Sequence, residues 1–196
     1  MVKNYRDYTI GVLALQGAVS EHAAGIAKLG AKAALVKRSD ELKNLDALII
    51  PGGESTAIGK LMARYDFVSP IKDFAAAGKA IFGTCAGMVL LAKNYTQHSA
   101  EPPVSLGLLD ITVKRNAFGR QKESFEAAID IEGFHKPFQA VFIRAPYAES
   151  AADMVEVLAR LDGKIVCAKQ DRILACSFHP ELTDDDRLLR LFLDLI

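Results

Sequence analysis

Cysteine is scarce in this chain. Among 196 residues only Cys85, Cys167 and Cys176 carry thiols, an odd number without close metal-ligand spacing. That argues against a disulfide-stapled secreted domain and against a metal framework, and a reducing, cytoplasmic setting is expected. Net charge is missing too, because 24 Lys and Arg residues balance 24 Asp and Glu residues. No basic stripe marks a nucleic-acid surface, and no polybasic run marks an anionic membrane. A near-neutral surface repels its own kind less, which favours association with other chains. No apolar run approaches a membrane span, and the polar opening Met1-Val-Lys-Asn-Tyr-Arg-Asp-Tyr8 is not a secretory signal. Internal repeats, low-complexity tracts, a Gly-x-Gly-x-x-Gly fingerprint and a phosphate-binding P-loop are also absent.

What remains is ordinary globular material. Apolar residues make up 51% of the chain and charged residues 24%, enough for a sizeable core. The length fits one domain, residues 1–196. Thr9 to Leu15 is nearly all apolar, the pattern of a strand buried on both faces. A helical pattern from Ala18 to Leu29 follows and stops at Gly30. Further strands are expected at 32–36, 45–50 and 79–82, with helices at about 54–65, 70–77 and 88–93. Such alternation predicts a parallel sheet covered by helices. The second half changes character: 106–114, 125–131, 139–143, 155–160, 164–169 and 173–178 read as strands, with a hairpin signal at Asp162-Gly163. A last helix is expected from Asp184 to Leu195, and residues 96–105 read as a polar, proline-containing loop. The fold class is therefore α/β, with a mixed, mostly parallel central sheet and antiparallel additions.

Chemistry concentrates where strands end. Gly83-Thr84-Cys85-Ala86-Gly87 has the spacing of a nucleophile elbow, with sulfur in place of the usual hydroxyl. A helix beginning at Ala86 aims unpaired N–H groups and its positive end at that sulfur, favouring thiolate. Ser177-Phe-His-Pro-Glu181 supplies a base, His179, and an orienting carboxylate, Glu181, two positions on. In extended chain these two side chains share a side, giving a Cys-His-Glu version of the triad. Pro51-Gly-Gly-Glu-Ser55 suits an oxyanion turn, with Gly53 N–H and the Ala86 N–H as donors. Gln16-Gly17 also follows a strand, and is read either as a plain turn or as part of the site. Cys167 and Cys176 read as buried small hydrophobes. His22, His98 and His135 have no supporting context and are not assigned a role. In open α/β sheets reactive groups gather at strand carboxyl ends, where Gln16, Gly52-Gly53, Cys85 and His179 all fall.

With these segments in view, the chain resembles the class I (triad-type) glutamine amidotransferases. More narrowly it resembles the glutaminase subunit of pyridoxal 5′-phosphate synthase, the PdxT/SNO family. The motifs are Gly11-Val-Leu-Ala-Leu-Gln-Gly-Ala18, Pro51-Gly-Gly-Glu-Ser-Thr56, Phe82-Gly-Thr-Cys-Ala-Gly87, Arg115-Asn-Ala-Phe-Gly-Arg-Gln121, Val141-Phe-Ile-Arg-Ala-Pro146 and Cys176-Ser-Phe-His-Pro-Glu-Leu-Thr183. The resemblance implies a three-layer, flavodoxin-like amidotransferase fold and hydrolysis of L-glutamine to glutamate and ammonia, with no cofactor and no metal. It implies Cys85 as nucleophile, His179 as base and Glu181 as orienter. Gly53, Glu54, Ser55, Arg115, Ile143 and Arg144 would contact glutamine, and Gln16 would lie between the site and a partner. That partner is a separate (β/α)8-barrel synthase subunit, which takes the ammonia and whose docking completes the oxyanion geometry. An arginine suits the glutamine α-carboxylate, but Arg115 and Arg144 both remain candidates. Two other readings stand beside this one. The chain is a silent binding subunit, or it keeps the elbow and serves another amide or pathway.

Overall fold

The computed structural model describes residues 4–96, 104–115 and 124–196. Six of the seven positions in the Arg115–Gln121 motif, and most of the 96–105 loop, lie outside these described residues. In chain order the elements are β1 (Thr9–Leu13), α1 (Val19–Lys28), β2 (Lys32–Val36), β3 (Ala47–Ile50), α2 (Ser55–Arg64), α3 (Val68–Ala76), β4 (Ala80–Thr84), α4 (Ala86–Leu91) and β5 (Ala92–Tyr95). They continue with β6 (Leu109–Lys114), β7 (Ser124–Ile129), β8 (Phe138–Ile143), β9 (Tyr147–Ala151), β10 (Glu156–Leu161), β11 (Lys164–Gln170), β12 (Ile173–Cys176) and α5 (Arg187–Leu193). Short 3-10 turns occupy Ser39–Asn44 and Pro180–Leu182.

The apolar runs of β1, β3, β4 and β12 are buried on both faces, and they form the middle of a ten-stranded sheet in the order β2-β1-β3-β4-β12-β11-β9-β6-β5. From β2 through β12 the neighbours are parallel. Beyond β12 the ladder turns antiparallel through β11, β9 and β6, with β10 hairpinned onto β11. The hairpin turn uses Asp162 at φ 48° and Gly163 at φ 76°, as its sequence demands. Because successive strand residues face opposite ways, each central strand feeds two cores. Leu48, Ile50 and Ile81 pack with Ile58, Met62, Ile71 and Met88 from α2, α3 and α4. Ala47, Ile49 and Phe82 pack on the other face with Ile26 of α1 and Leu188 and Phe192 of α5. The β7–β8 hairpin, a separate two-stranded sheet, lies over this second face through Phe138 and Phe142. Among the described residues no helix is long and apolar enough to cross a membrane.

Two expectations are corrected. The helix after the elbow ends at Leu91, and 92–95 is strand β5, paired with β6. The cause is tertiary: the Leu90, Leu91 and Ala92 carbonyls accept from Leu106 N, Leu108 N and Ser105 Oγ at 2.8, 3.0 and 2.6 Å. These bonds satisfy the helix's orphan acceptors and also keep residues 105–108 out of β6. The second correction is β9, absent from the sequence reading because Tyr-Ala-Glu-Ser-Ala has no clear apolar alternation. Its place in the ladder comes from β6 and β11 on either side.

Helix α4 approaches β3 so closely that a Cβ at Gly87 would fall onto the Ile50 carbonyl oxygen. Gly87→Ala is therefore expected to destabilise the fold by about 1–3 kcal/mol, as overpacking does. A lowered urea midpoint with unchanged slope would record it, and an unaltered midpoint would contradict this account of the contact.

Candidate active site

Four strand ends meet at one place. Sheet order reverses at β1, which sends the chain first to β2 and then back to β3, and the crevice at such a switch point is where α/β sheets bind ligands. The loop after β1 brings Gln16, that after β3 brings Pro51 to Glu54, β4 ends at Cys85, and β12 leads to His179. Cys85 sits at φ 48° and ψ −100°, a conformation an L-residue adopts at a cost. Its backbone N–H donates to the Cys176 carbonyl at 2.8 Å, extending the β4–β12 ladder one residue past the strand. The turn raises the sulfur into a cavity of about 250 Å³. Within it Sγ faces the Ile143 carbonyl oxygen at 3.9 Å.

His179 comes to the sulfur from the adjacent strand end. Its backbone N–H is tied to the Val141 carbonyl of β8 at 2.8 Å, and its Nδ1 lies 2.7 Å from Glu181 Oε1. The i, i+2 reach is made by the Pro180–Leu182 3-10 turn rather than by extended chain. Pro180 has φ locked near the helical value and no N–H to lose, which favours such a turn at its first position. Burial pulls the His179 pKa down. It is outweighed by hydrogen bonds from the ring to Cys85 and Glu181 and by their negative charge, so the imidazole is pushed up to about 10. The arrangement is a protonated imidazole held between a sulfur and a carboxylate.

The oxyanion turn packs directly on this pair. A Cβ at Gly52 would strike the His179 ring and come 3.4 Å from Cys85 Cβ, so only glycine fits there. The Gly52 carbonyl accepts from Ala18 N at 3.1 Å. Because the peptide is planar and trans, the Gly53 N–H points away from that loop. Gln16 closes the same corner, its Oε1 accepting from Glu54 N at 2.9 Å. The Ala86 N–H opens α4 and belongs to the first turn, whose donors lack helical partners.

Every residue assigned to the site from sequence lines this cavity except Glu181, which stands behind His179. Their side chains differ in what they do. The Glu54 carboxylate caps α2, accepting from Thr56 N at 3.0 Å and Ala57 N at 2.7 Å. Burial raises its pKa, but these N–H groups prevail and hold it below the usual carboxylate range. Arg115 Nη2 bonds Thr56 Oγ1 at 3.2 Å and Glu54 Oε1 at 3.4 Å, so it is anchored at the rim. Arg144 is exposed, with φ at 43°, immediately after the residue whose carbonyl faces the sulfur. His22, left without a role by the sequence, stands behind this cavity's acid. It lies on the buried stripe of α1 with Ile26, 3% exposed, and its Nε2 is 3.5 Å from Glu181 Oε2. Its position among apolar spacings was the available signal. Among the described residues no three His, Cys, Asp or Glu side chains converge as a metal set.

A sheet that lifts a cysteine on a strained strand-to-helix turn, and answers it with histidine and glutamate from the next strand end, has the architecture of triad-type amide hydrolases. The chain belongs to the SNO glutamine amidotransferase family, whose model matches residues 12–196. A relative from Listeria monocytogenes serotype 4a (strain HCC23), named pyridoxal 5′-phosphate synthase subunit PdxT, is 57% identical over 188 residues, covering 95% of this chain and 98% of the relative. One of the same name from Pasteurella multocida (strain Pm70) is 55% identical over 195 residues, 99% of this chain and 100% of the relative. A solved structure described as a glutamine amidotransferase superposes with a TM-score of 0.89 at 48% identity, covering 95% of this chain and 97% of that one. The structure of PurLQS from Thermotoga maritima, at TM-score 0.66 and 18% identity over 95% of this chain and 97% of that one, shares the fold alone.

Two outcomes follow from the electrostatics. In the native protein iodoacetamide is expected to label Cys85 alone. Cys167 and Cys176 are fully buried; burial pushes the first up to about 12 and, aided by its neighbours' charge, raises the second well above an ordinary thiol. Mass spectrometry showing comparable native labelling at either would contradict this. In an NMR titration His179 should stay protonated into the alkaline range, losing its proton near pH 10. Cys85→Ala removes the negative partner, so the midpoint must move down; an unmoved midpoint would mean that the sulfur is not its partner.

Proposed function

We propose that this SNO-family amidotransferase hydrolyses L-glutamine to glutamate and ammonia through a thioester on Cys85, and that the ammonia passes to a (β/α)8-barrel synthase subunit making pyridoxal 5′-phosphate. The observation that carries the reading is the meeting of Cys85, His179 and Glu181 at one cavity on four strand ends. Cys85 Sγ attacks the carboxamide carbon, and a C–S bond forms as the carbonyl oxygen takes up negative charge. The Gly53 and Ala86 N–H groups stabilise that oxygen. The His179 imidazolium gives its proton to the nitrogen, the C–N bond breaks and ammonia leaves. Neutral His179 then takes a proton from water, which attacks the thioester and releases glutamate, restoring the pair. Glu181 holds the ring in the tautomer and orientation both halves require.

The relatives' name places them as subunits of a synthase, which supports a synthase partner for this chain. Gln16 and the rim formed by Glu54, Arg115 and Arg144 surround the cavity mouth. The glutamine amino-acid end is assigned to this rim, with the Ile143 carbonyl close to the sulfur. A partner docking over Gln16 would act on Glu54 N and, through the Gly17-Ala18 segment, on the Gly52 carbonyl. Such docking selects the arrangement of the oxyanion turn that is competent for attack.

The test is ammonia and glutamate release from L-glutamine, with and without the synthase subunit. Cys85→Ala is expected to lower turnover by at least about a thousandfold with the fold intact. Wild-type turnover in that variant, or no turnover with an active synthase present, would overturn the reading.

A further inference from the structure

The mechanism uses one oxygen of Glu181 and leaves the other unexplained. Oε1 takes the His179 Nδ1 hydrogen bond at 2.7 Å. Oε2 belongs to a side chain only 1% exposed, and no hydrogen bond is formed to it. A carboxylate accepts only, so a buried oxygen without a donor is costly wherever it occurs. His22 Nε2 lies 3.5 Å from Oε2. The same nitrogen lies 3.1 Å from Thr84 Oγ1, the hydroxyl of a fully buried residue immediately before the nucleophile.

Chemistry selects the tautomer. Burial pulls the His22 pKa down against the pull of Glu181, so the ring is neutral and has one N–H. Thr84 can donate or accept, whereas Glu181 Oε2 can only accept. Placing the proton on Nε2 lets it bond the threonine at 3.1 Å while its positive end faces the carboxylate oxygen at 3.5 Å; the other tautomer would turn a lone pair toward that oxygen. Behind these groups lies a second cavity of about 320 Å³, lined by His22, Phe82 and Glu181 and rimmed by Glu21 and Asp184. His22 and Glu181 both line this cavity, which shares no lining residue with the cavity that holds Cys85.

The geometry points to His22 as a positioning residue for the triad: its Nε2–H faces the second oxygen of Glu181 across 3.5 Å and attracts it, so that the first is aimed at His179. It links α1, the residue preceding the nucleophile and the turn carrying the acid. The inference rests on the glutaminase reading above, since it assigns Glu181 its role in that triad.

The experiment compares His22→Leu with His22→Gln in the full chain assembled with its synthase subunit. Leucine fills the space without a donor; glutamine keeps an N–H. For His22→Leu, kcat for glutamine hydrolysis should fall about 10- to 100-fold, the range by which losing an outer partner weakens a metal-bound group, with KM little changed. The NMR titration midpoint of His179 should fall as well, which loss of packing alone would not cause. His22→Gln should recover most of kcat and of the midpoint. Equal losses in both variants, or a folded His22→Leu with unchanged kcat and His179 titration, would overturn the proposal. A variant that fails to fold does not shield it, because ¹⁵N–¹H correlation of wild-type His22 reads the tautomer directly. A proton on Nδ1, or a charged ring at neutral pH, is incompatible with it. These NMR results do not depend on turnover, so failure of the glutaminase reading and failure of this one are separable.

Discussion

The site depends on two neighbouring parallel strands ending in register. Cys176 pairs with Thr84, and the ladder's last hydrogen bond runs from Cys85 N–H to the Cys176 carbonyl. That bond holds the nucleophile's backbone in a costly conformation, and it places the sulfur beside the segment that carries His179 three residues further along. Strain at Cys85 is tolerated because the surrounding structure overdetermines it: a fully buried strand before it, a fully buried helix after it and a ladder beside it. The charge on His179 is in turn sustained by Glu181, shielded from water behind the ring.

Close approach is the second constraint. Gly52 lies against the triad and Gly87 against β3, so the oxyanion turn and the nucleophile helix are seated at backbone-contact distance. Rigid seating leaves adjustment to the peptide between Gly52 and Gly53, whose carbonyl is tied to the loop after β1. That loop also carries Gln16 at the cavity mouth and leads into α1, the helix that carries His22. One segment therefore touches the oxyanion turn at its start and the back of the triad a turn later. The segment from Gln16 to His22 is thus connected to both ends of the site.

Much of this was legible in the residues alone. The elbow spacing around Cys85 and the His179-Pro-Glu181 cluster are local: a strained turn requires glycines at fixed offsets, and a tautomer-fixing acid must be within a residue or two in sequence or supplied by the fold. The β1 to β4 run was legible because strands buried on both faces must be continuously apolar. What failed to show was β9, a strand with little apolar signal of its own, and the early end of α4. In both cases hydrogen bonds from distant segments decided the conformation. Glu54 was legible as part of a helix cap, and its carboxylate does cap α2 while the residue also lines the cavity.

Local chemistry therefore resided in the linear order: a cysteine elbow, a histidine with its acid, a glycine turn and a fold class written in short-range periodicity. Tertiary structure alone decided that β12 would lie beside β4, bringing residues 94 positions apart to one cavity. It alone also set His22 against Glu181. Side-chain pairing across a sheet depends on strand order and register, which arise from global packing of two apolar faces and leave no mark on the spacing of any single segment.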